Sequence, residues 1–101
     1  MSGAGAPDPA PRGVTAVIEG GLPGAAVHYA GAAILRPRPH PVLGVSVPQL
    51  GVPDDALGFR PTPGARFAIT IQDGGAVARY RSPGAWLERV GSTWWFILEA
   101  E

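Results

Sequence analysis

No cysteine occurs in this sequence of 101 residues, which excludes a disulfide framework and any thiolate metal site. Lysine is absent as well, so all eight positive charges are arginine, set against eight acidic residues. That balance removes any long-range pull toward nucleic acid or an anionic membrane, and leaves only local clusters able to make such a contact. No apolar run approaches the roughly 18 residues that a membrane-spanning helix needs. Residues 1–12 have neither the basic start nor the apolar stretch of a secretory signal, so a cytoplasmic protein without a membrane partner is expected. Long helices are excluded by the 15 glycines and 12 prolines, which interrupt helical hydrogen bonding almost everywhere.

What is present is enough apolar material for one core. The hydrophobic fraction is 46%, ordinary for a globular chain, and the length suits a single domain. Residues 1–13 are small, proline-rich and without period, and read as a flexible N-terminal arm; residues 14–101 read as one β domain. Val14, Ala16 and Ile18 alternate with Thr15, Val17 and Glu19, the period of a strand. After a Gly/Pro turn at residues 20–24, Ala25 to Leu35 reads as a second strand, with a bulge expected at Gly31.

Arg36-Pro37-Arg38-Pro39-His40-Pro41 reads as a stiff, polyproline-like tract, because each proline fixes its own φ and extends the residue before it. Val42 to Val47 is expected as a strand. Residues 48–64, with Pro48, Pro53, Pro61 and Pro63 among them, read as a long mobile loop holding a helical turn near Asp54-Asp55-Ala56-Leu57.

The C-terminal third carries two hairpins. Phe67, Ile69 and Ile71 alternate with polar or small residues, Asp73-Gly74-Gly75 supplies turn chemistry, and Ala76 to Arg81 returns. Trp86 to Val90 and Thr93 to Leu98 then flank Gly91-Ser92, which suits a type II′ turn. That register sets Val90 opposite Thr93, Glu88 opposite Trp95 and Trp86 opposite Ile97. One face then holds Trp86, Val90, Trp95 and Ile97, and the other Leu87, Trp94, Phe96 and Leu98. With both faces apolar, either the hairpin is covered on both sides or part of one face meets a partner. The sum is an all-β chain, a small six- or seven-stranded antiparallel barrel or sandwich with a long Pro/Gly-rich loop.

Catalytic patterns are sparse, so no enzyme, no cofactor and no metal is expected. His28 and His40 lack metal-ligand spacing with each other or with a carboxylate. None of the four serines sits in a nucleophile elbow. Asp54 and Asp55 are adjacent carboxylates, a pattern that suits helix capping or solvation better than acid–base work. Arg36, Arg38 and His40 form the basic cluster, without the interleaved aromatics of a single-strand nucleic-acid platform. The candidate interface residues are therefore Arg36, Arg38, His40, Asp54, Asp55, Trp86 and Trp95. A pocket lined by Trp86, Tyr80 or Trp95 is the form that a ligand carrier would take.

One family shows a similar order of elements. Ala32-Ala33-Ile34-Leu35-Arg36, the stretch Val42 to Val47, then Pro63-Gly64-Ala65-Arg66-Phe67-Ala68-Ile69-Thr70-Ile71, the Asp73-Gly74 turn, Ala78-Arg79-Tyr80-Arg81 and the closing Trp94 to Leu98 resemble the head-completion proteins of tailed bacteriophages, also called stopper or head-tail joining proteins. The similarity covers roughly Ala25 to Glu99. It departs from the family pattern at Ala65, where Asp is usual, and by an extra glycine in the turn. The resemblance implies a virion structural protein of the head-to-tail connector. Copies would form a homo-oligomeric ring that meets portal, adaptor and tail proteins, with packaged DNA nearby. A bacterial protein-binding β module, of toxin-neutralising or scaffold type, is the alternative that the same residues allow.

Overall fold

A computed structural model describes residues 12–22, 24–61 and 64–100. Eight strands form one antiparallel sheet: β1 (Arg12–Leu22), β2 (Ala25–Pro39), β3 (Ser46–Pro53), β4 (Arg66–Asp73), β5 (Ala76–Pro83), β6 (Glu88–Val90), β7 (Thr93–Ile97) and β8 (Glu99–Ala100). A single helical turn, α1 (Asp54–Leu57), follows β3. The strand order is β6-β7-β3-β2-β1-β4-β5-β8. Since β7 and β8 are separated only by Leu98, yet pair with β3 and β5 respectively, the C-terminal stretch draws the two ends of the sheet together into a half-barrel. The all-β class holds. The eighth strand arises because the closing strand bends at Leu98 and pairs on both sides of the bend. Among the described residues no helix is long and apolar enough to cross a membrane.

The core fills the concave side of this sheet. Alternation delivers Val14, Ala16 and Ile18 from β1, Tyr29 and Ala33 from β2, Leu50 and Val52 from β3, Phe67, Ile69 and Ile71 from β4, and Phe96 from β7. Leu98 joins them from the bend and Leu57 from α1. Phe67 meets Phe96 edge to face, with ring centroids 5.4 Å apart.

Several expectations are corrected. Strand β1 starts at Arg12, where residues 1–13 were read as an arm; residues 1–11 of that arm lie outside the described residues. Strand β2 carries no bulge at Gly31, because its pairing with β1 runs unbroken from Leu22↔Ala25 to Arg12↔Leu35. Gly31 instead makes room for the Tyr29 ring: a Cβ there would lie 3.0 Å from the Tyr29 hydroxyl, which donates a hydrogen bond to the Ala32 carbonyl.

Arg36 to Pro39 of the tract read as polyproline belong to β2, with His40 and Pro41 beyond its end, and the first third of the loop read at 48–64 is β3. The ladder aligns Arg36↔Gln49, Pro37↔Pro48 and Arg38↔Val47. Two prolines facing each other have no N–H to exchange, so the hydrogen-bonded pairs must be the ones on either side. Successive residues point their donors to opposite edges, so prolines spaced by two strip one edge of the strand and leave the other whole. Gln49, Leu50, Gly51 and Val52 are buried accordingly. The connection that remains runs from Gly58 to Ala65, of which residues 62 and 63 lie outside the described set. Val42 and Leu43, expected as the start of a strand, lie instead in a turn at residues 41–43.

The second hairpin keeps the expected register, Val90↔Thr93, Arg89↔Trp94 and Glu88↔Trp95, around Gly91 at φ +62°. It stops there. Trp86 lies in a 3₁₀ turn, Gly84–Trp86, and not opposite Ile97, whose partner is Gln49 on the other side. Gly84 sets that turn by close approach: its N–H donates to the Ala65 carbonyl at 2.8 Å, and a Cβ would lie 2.3 Å from the same oxygen.

Phe96→Ala is expected to lower unfolding free energy by about 3–5 kcal/mol in urea titration, because the ring is fully enclosed. A loss of less than about 1 kcal/mol would show that the barrel does not depend on this contact.

Candidate functional site

Four of the candidate residues converge on the convex face, outside the core. The register places Arg38, Gln49, Trp95, Ile97 and Glu88 on that face. The Arg38 guanidinium lies over the Trp95 ring at 4.7 Å from its centroid. It donates to Gln49 Oε1 at 3.2 Å and reaches Glu88 Oε1 at 3.3 Å. Gln49, almost wholly buried, turns its amide N–H groups to the carbonyls of Arg38 and Pro39. A guanidinium stacked on indole and shared with an amide suits arginine and not lysine. Gly51, directly opposite Trp95, leaves the space that the ring fills; a Cβ there would lie 2.7 Å from Trp95 Cζ3.

His40 and Trp86 extend this cluster toward the β2–β3 turn. Their ring centroids are 5.2 Å apart, and His40 is buried. The Nδ1 of His40 accepts the backbone N–H groups of Val42 at 3.0 Å and Leu43 at 3.1 Å. The His40 carbonyl accepts from Gly44 at 3.0 Å, and its N–H donates to Val45 at 2.9 Å. An imidazole nitrogen that receives two donors carries no proton, so Nε2 holds the hydrogen. His40 thus does what an asparagine side chain does in an Asx turn, and Trp86 clamps the ring in place.

The consequence is a rigid turn with an apolar crown. Val42, Leu43 and Val45 are 63%, 66% and 58% exposed. These residues escaped the sequence reading because alternation suggested a strand. The signals that locate the turn are Pro41 on one side and Gly44, at φ +76°, on the other.

The remaining candidates lie elsewhere. Asp54 caps nothing; Pro53 holds the N-cap position, and no side chain caps the turn. Its carboxylate instead accepts Trp94 Nε1 at 2.7 Å and Arg89 at 3.0 Å, fastening α1 to the β6–β7 hairpin. Its own N–H donates to Ser92 at 2.7 Å. Asp55 and Arg36 are exposed. As for the aromatic faces, Trp95, Phe96, Ile97 and Leu98 are buried, while Trp86, Leu87 and Trp94 are half-buried.

Grooves in the described surface include two with charged walls. One, of about 550 Å³, has Glu19, Arg66, Arg81 and Glu99 on its walls; the other, of about 360 Å³, includes Asp54, Arg60 and Arg89. Neither is bordered by Trp86, Tyr80 or Trp95. In the larger one, acid and base alternate across the sheet, Glu19, Ala68, Arg81 and Glu99 standing in register, so the walls offer no field of a single sign. Compared with protein-family models, with characterised proteins and with solved structures, the chain gives no match.

Substituting His40→Ala should speed amide exchange at Val42 and Leu43 about tenfold or more and cost about 1–3 kcal/mol. His40→Asn, which restores an acceptor, should recover most of the protection; equal exchange in all three proteins would refute the role. Gly51→Ala should red-shift tryptophan emission and destabilise by about 1–3 kcal/mol as Trp95 is displaced. An unchanged spectrum and midpoint would show that the face has slack.

Proposed function

We propose that the chain works by protein–protein assembly and not by catalysis, as a virion component of the head-to-tail connector in a tailed phage. The observation that carries the first half is the β2–β3 turn, where Val42, Leu43 and Val45 stand in water on a backbone tied down by His40. An exposed apolar patch marks an interaction site. One already ordered loses little conformational freedom on docking. The cluster of Arg38, Gln49, Trp86 and Trp95 below it then serves as the footing of a docking element.

The second half rests on the sequence resemblance over Ala25 to Glu99. In that setting copies of the chain form a ring, the apolar turns meet portal, adaptor or tail proteins, and packaged DNA passes nearby. The protein would reside in the virion after assembly in the host cytoplasm.

Affinity capture with the tagged full chain, from cells carrying the induced phage, tests both halves when wild type and Leu43→Asp are compared by mass spectrometry. Recovery of portal, adaptor or tail proteins, reduced about tenfold or more in the variant, is the expected result. One cellular protein, lost in the variant, would end the connector reading and favour a bacterial binding module. Equal recovery by both proteins would remove the turn from the interface.

A further inference from the structure

Strand β2 has a long stretch of edge that no strand among the described residues pairs with. On one side it pairs with β1 from Ala25 to Leu35. On the other, β3 pairs with it only from Ile34 to Pro39; past Gly51, Val52 and Pro53 of β3 pair with β7 alone, and α1 follows. No backbone hydrogen bond among the described residues reaches Ala25 to Ala33 from that second side. The proline pairing fixes which groups are free. Arg36 and Arg38 face β3, and no bulge interrupts β2, so the even-numbered residues face the same way throughout. The N–H and C=O groups of Ala26, His28 and Ala30 and the N–H of Ala32 therefore point along the open edge. The Ala32 carbonyl keeps one lone pair beside its bond from Tyr29.

Such edges are ordinarily blunted by proline, charge, a bulge or shortness. The sequence Ala-Ala-Val-His-Tyr-Ala-Gly-Ala-Ala has no proline, no carboxylate and no arginine, and its pairing is regular. A few residues further along, Pro37 and Pro39 lie in the same strand, so the unprotected part is local. The outward side chains Ala26, Ala30 and Ala32 are small and exposed, which lets another backbone approach closely.

We infer that this edge is an interaction surface for a second copy of the same chain, paired antiparallel through the same residues about a two-fold axis. Unsatisfied donors and acceptors at strand spacing call for an extended backbone, the chemistry of strand addition. A two-fold pairing with His28 opposite the second copy's Ala30, and Ala26 opposite its Ala32, matches every free group with a counterpart and keeps the two imidazoles apart. A head-to-tail arrangement would need a second edge of similar length. The terminal strands β6 and β8 have only 3 and 2 residues, and β5 before its pairing with β8 is open only over the short stretch Ala76 to Arg79, so the same-edge dimer is the one that the sheet accommodates. The inference does not depend on the connector reading, because the apolar turn at residues 41–45 is not used.

The test is analytical ultracentrifugation of the full chain, with amide exchange read at Ala26, His28 and Ala30. Wild type should sediment at twice the monomer mass, with those amides slowed about tenfold or more on dimerisation. Ala30→Pro removes only an edge-facing donor and so spares the β1 ladder; it should give a monomer with unchanged circular dichroism. Ala26→Lys, which places a charge on the edge without altering the backbone, should weaken the dimer in the same direction. A monomeric wild type with fast edge amides would overturn the inference. A monomer with slow edge amides would do so too, showing that another segment of the same chain covers the edge. A dimer that survives both substitutions would place the contact elsewhere.

Discussion

The structure depends on one strand doing two jobs. From Thr93 to Ile97 the chain pairs with β3, then bends at Leu98, and from Glu99 it pairs with β5. The bend is held from both sides: the Leu98 N–H donates to the Pro48 carbonyl at 3.1 Å, and its side chain is buried in the core. An open sheet of this size would leave its concave apolar face in water. Drawing β3 and β5 to the same short stretch curls the sheet over Phe67, Ile69, Leu50 and Phe96 and lets a single layer enclose its own core. Part of the convex face around Trp95 is then covered without a second layer, because Arg38 and Gln49 lie across it.

Local pairing was legible in the sequence and remote pairing was not. The hairpin at Gly91-Ser92 was readable to the residue, since a two-residue turn forces the register of its neighbours. The hairpin at Gly74-Gly75 was readable for the same reason. Trp86 failed because the same pattern continues past the point where Gly84 must approach Ala65, a contact between segments far apart in sequence. The prolines misled most. Pro37 and Pro39 suggested a polyproline tract and Pro48 a loop, yet the spacing of the first two is compatible with a ladder, and only the pairing of β2 with β3 shows this.

The candidate site was legible as a set of residues and not as a shape. Arg38, His40, Trp86 and Trp95 were singled out for separate reasons, as a basic tract and an aromatic face, and the fold places them side by side. What sequence alone missed is that their chemistry is turned inward, toward each other, and that Val42, Leu43 and Val45 are what they hold out to solvent. Asp54, read as a cap, acts across the chain on Trp94 and Arg89 because α1 is too short to need one.

The alternating prolines of β2 make that segment indifferent to much of its composition and intolerant of any change in its length. An arginine or another extended residue at position 36 or 38 leaves the ladder donors where they are. Losing or gaining one residue between Leu35 and Pro37 would rotate both following proline nitrogens onto the edge that β3 needs, and would carry Arg38 off Trp95 to the core side. A single codon inserted or deleted here would therefore do more harm than several replaced, so the segment behaves as a spacer whose parity, more than its letters, is under constraint.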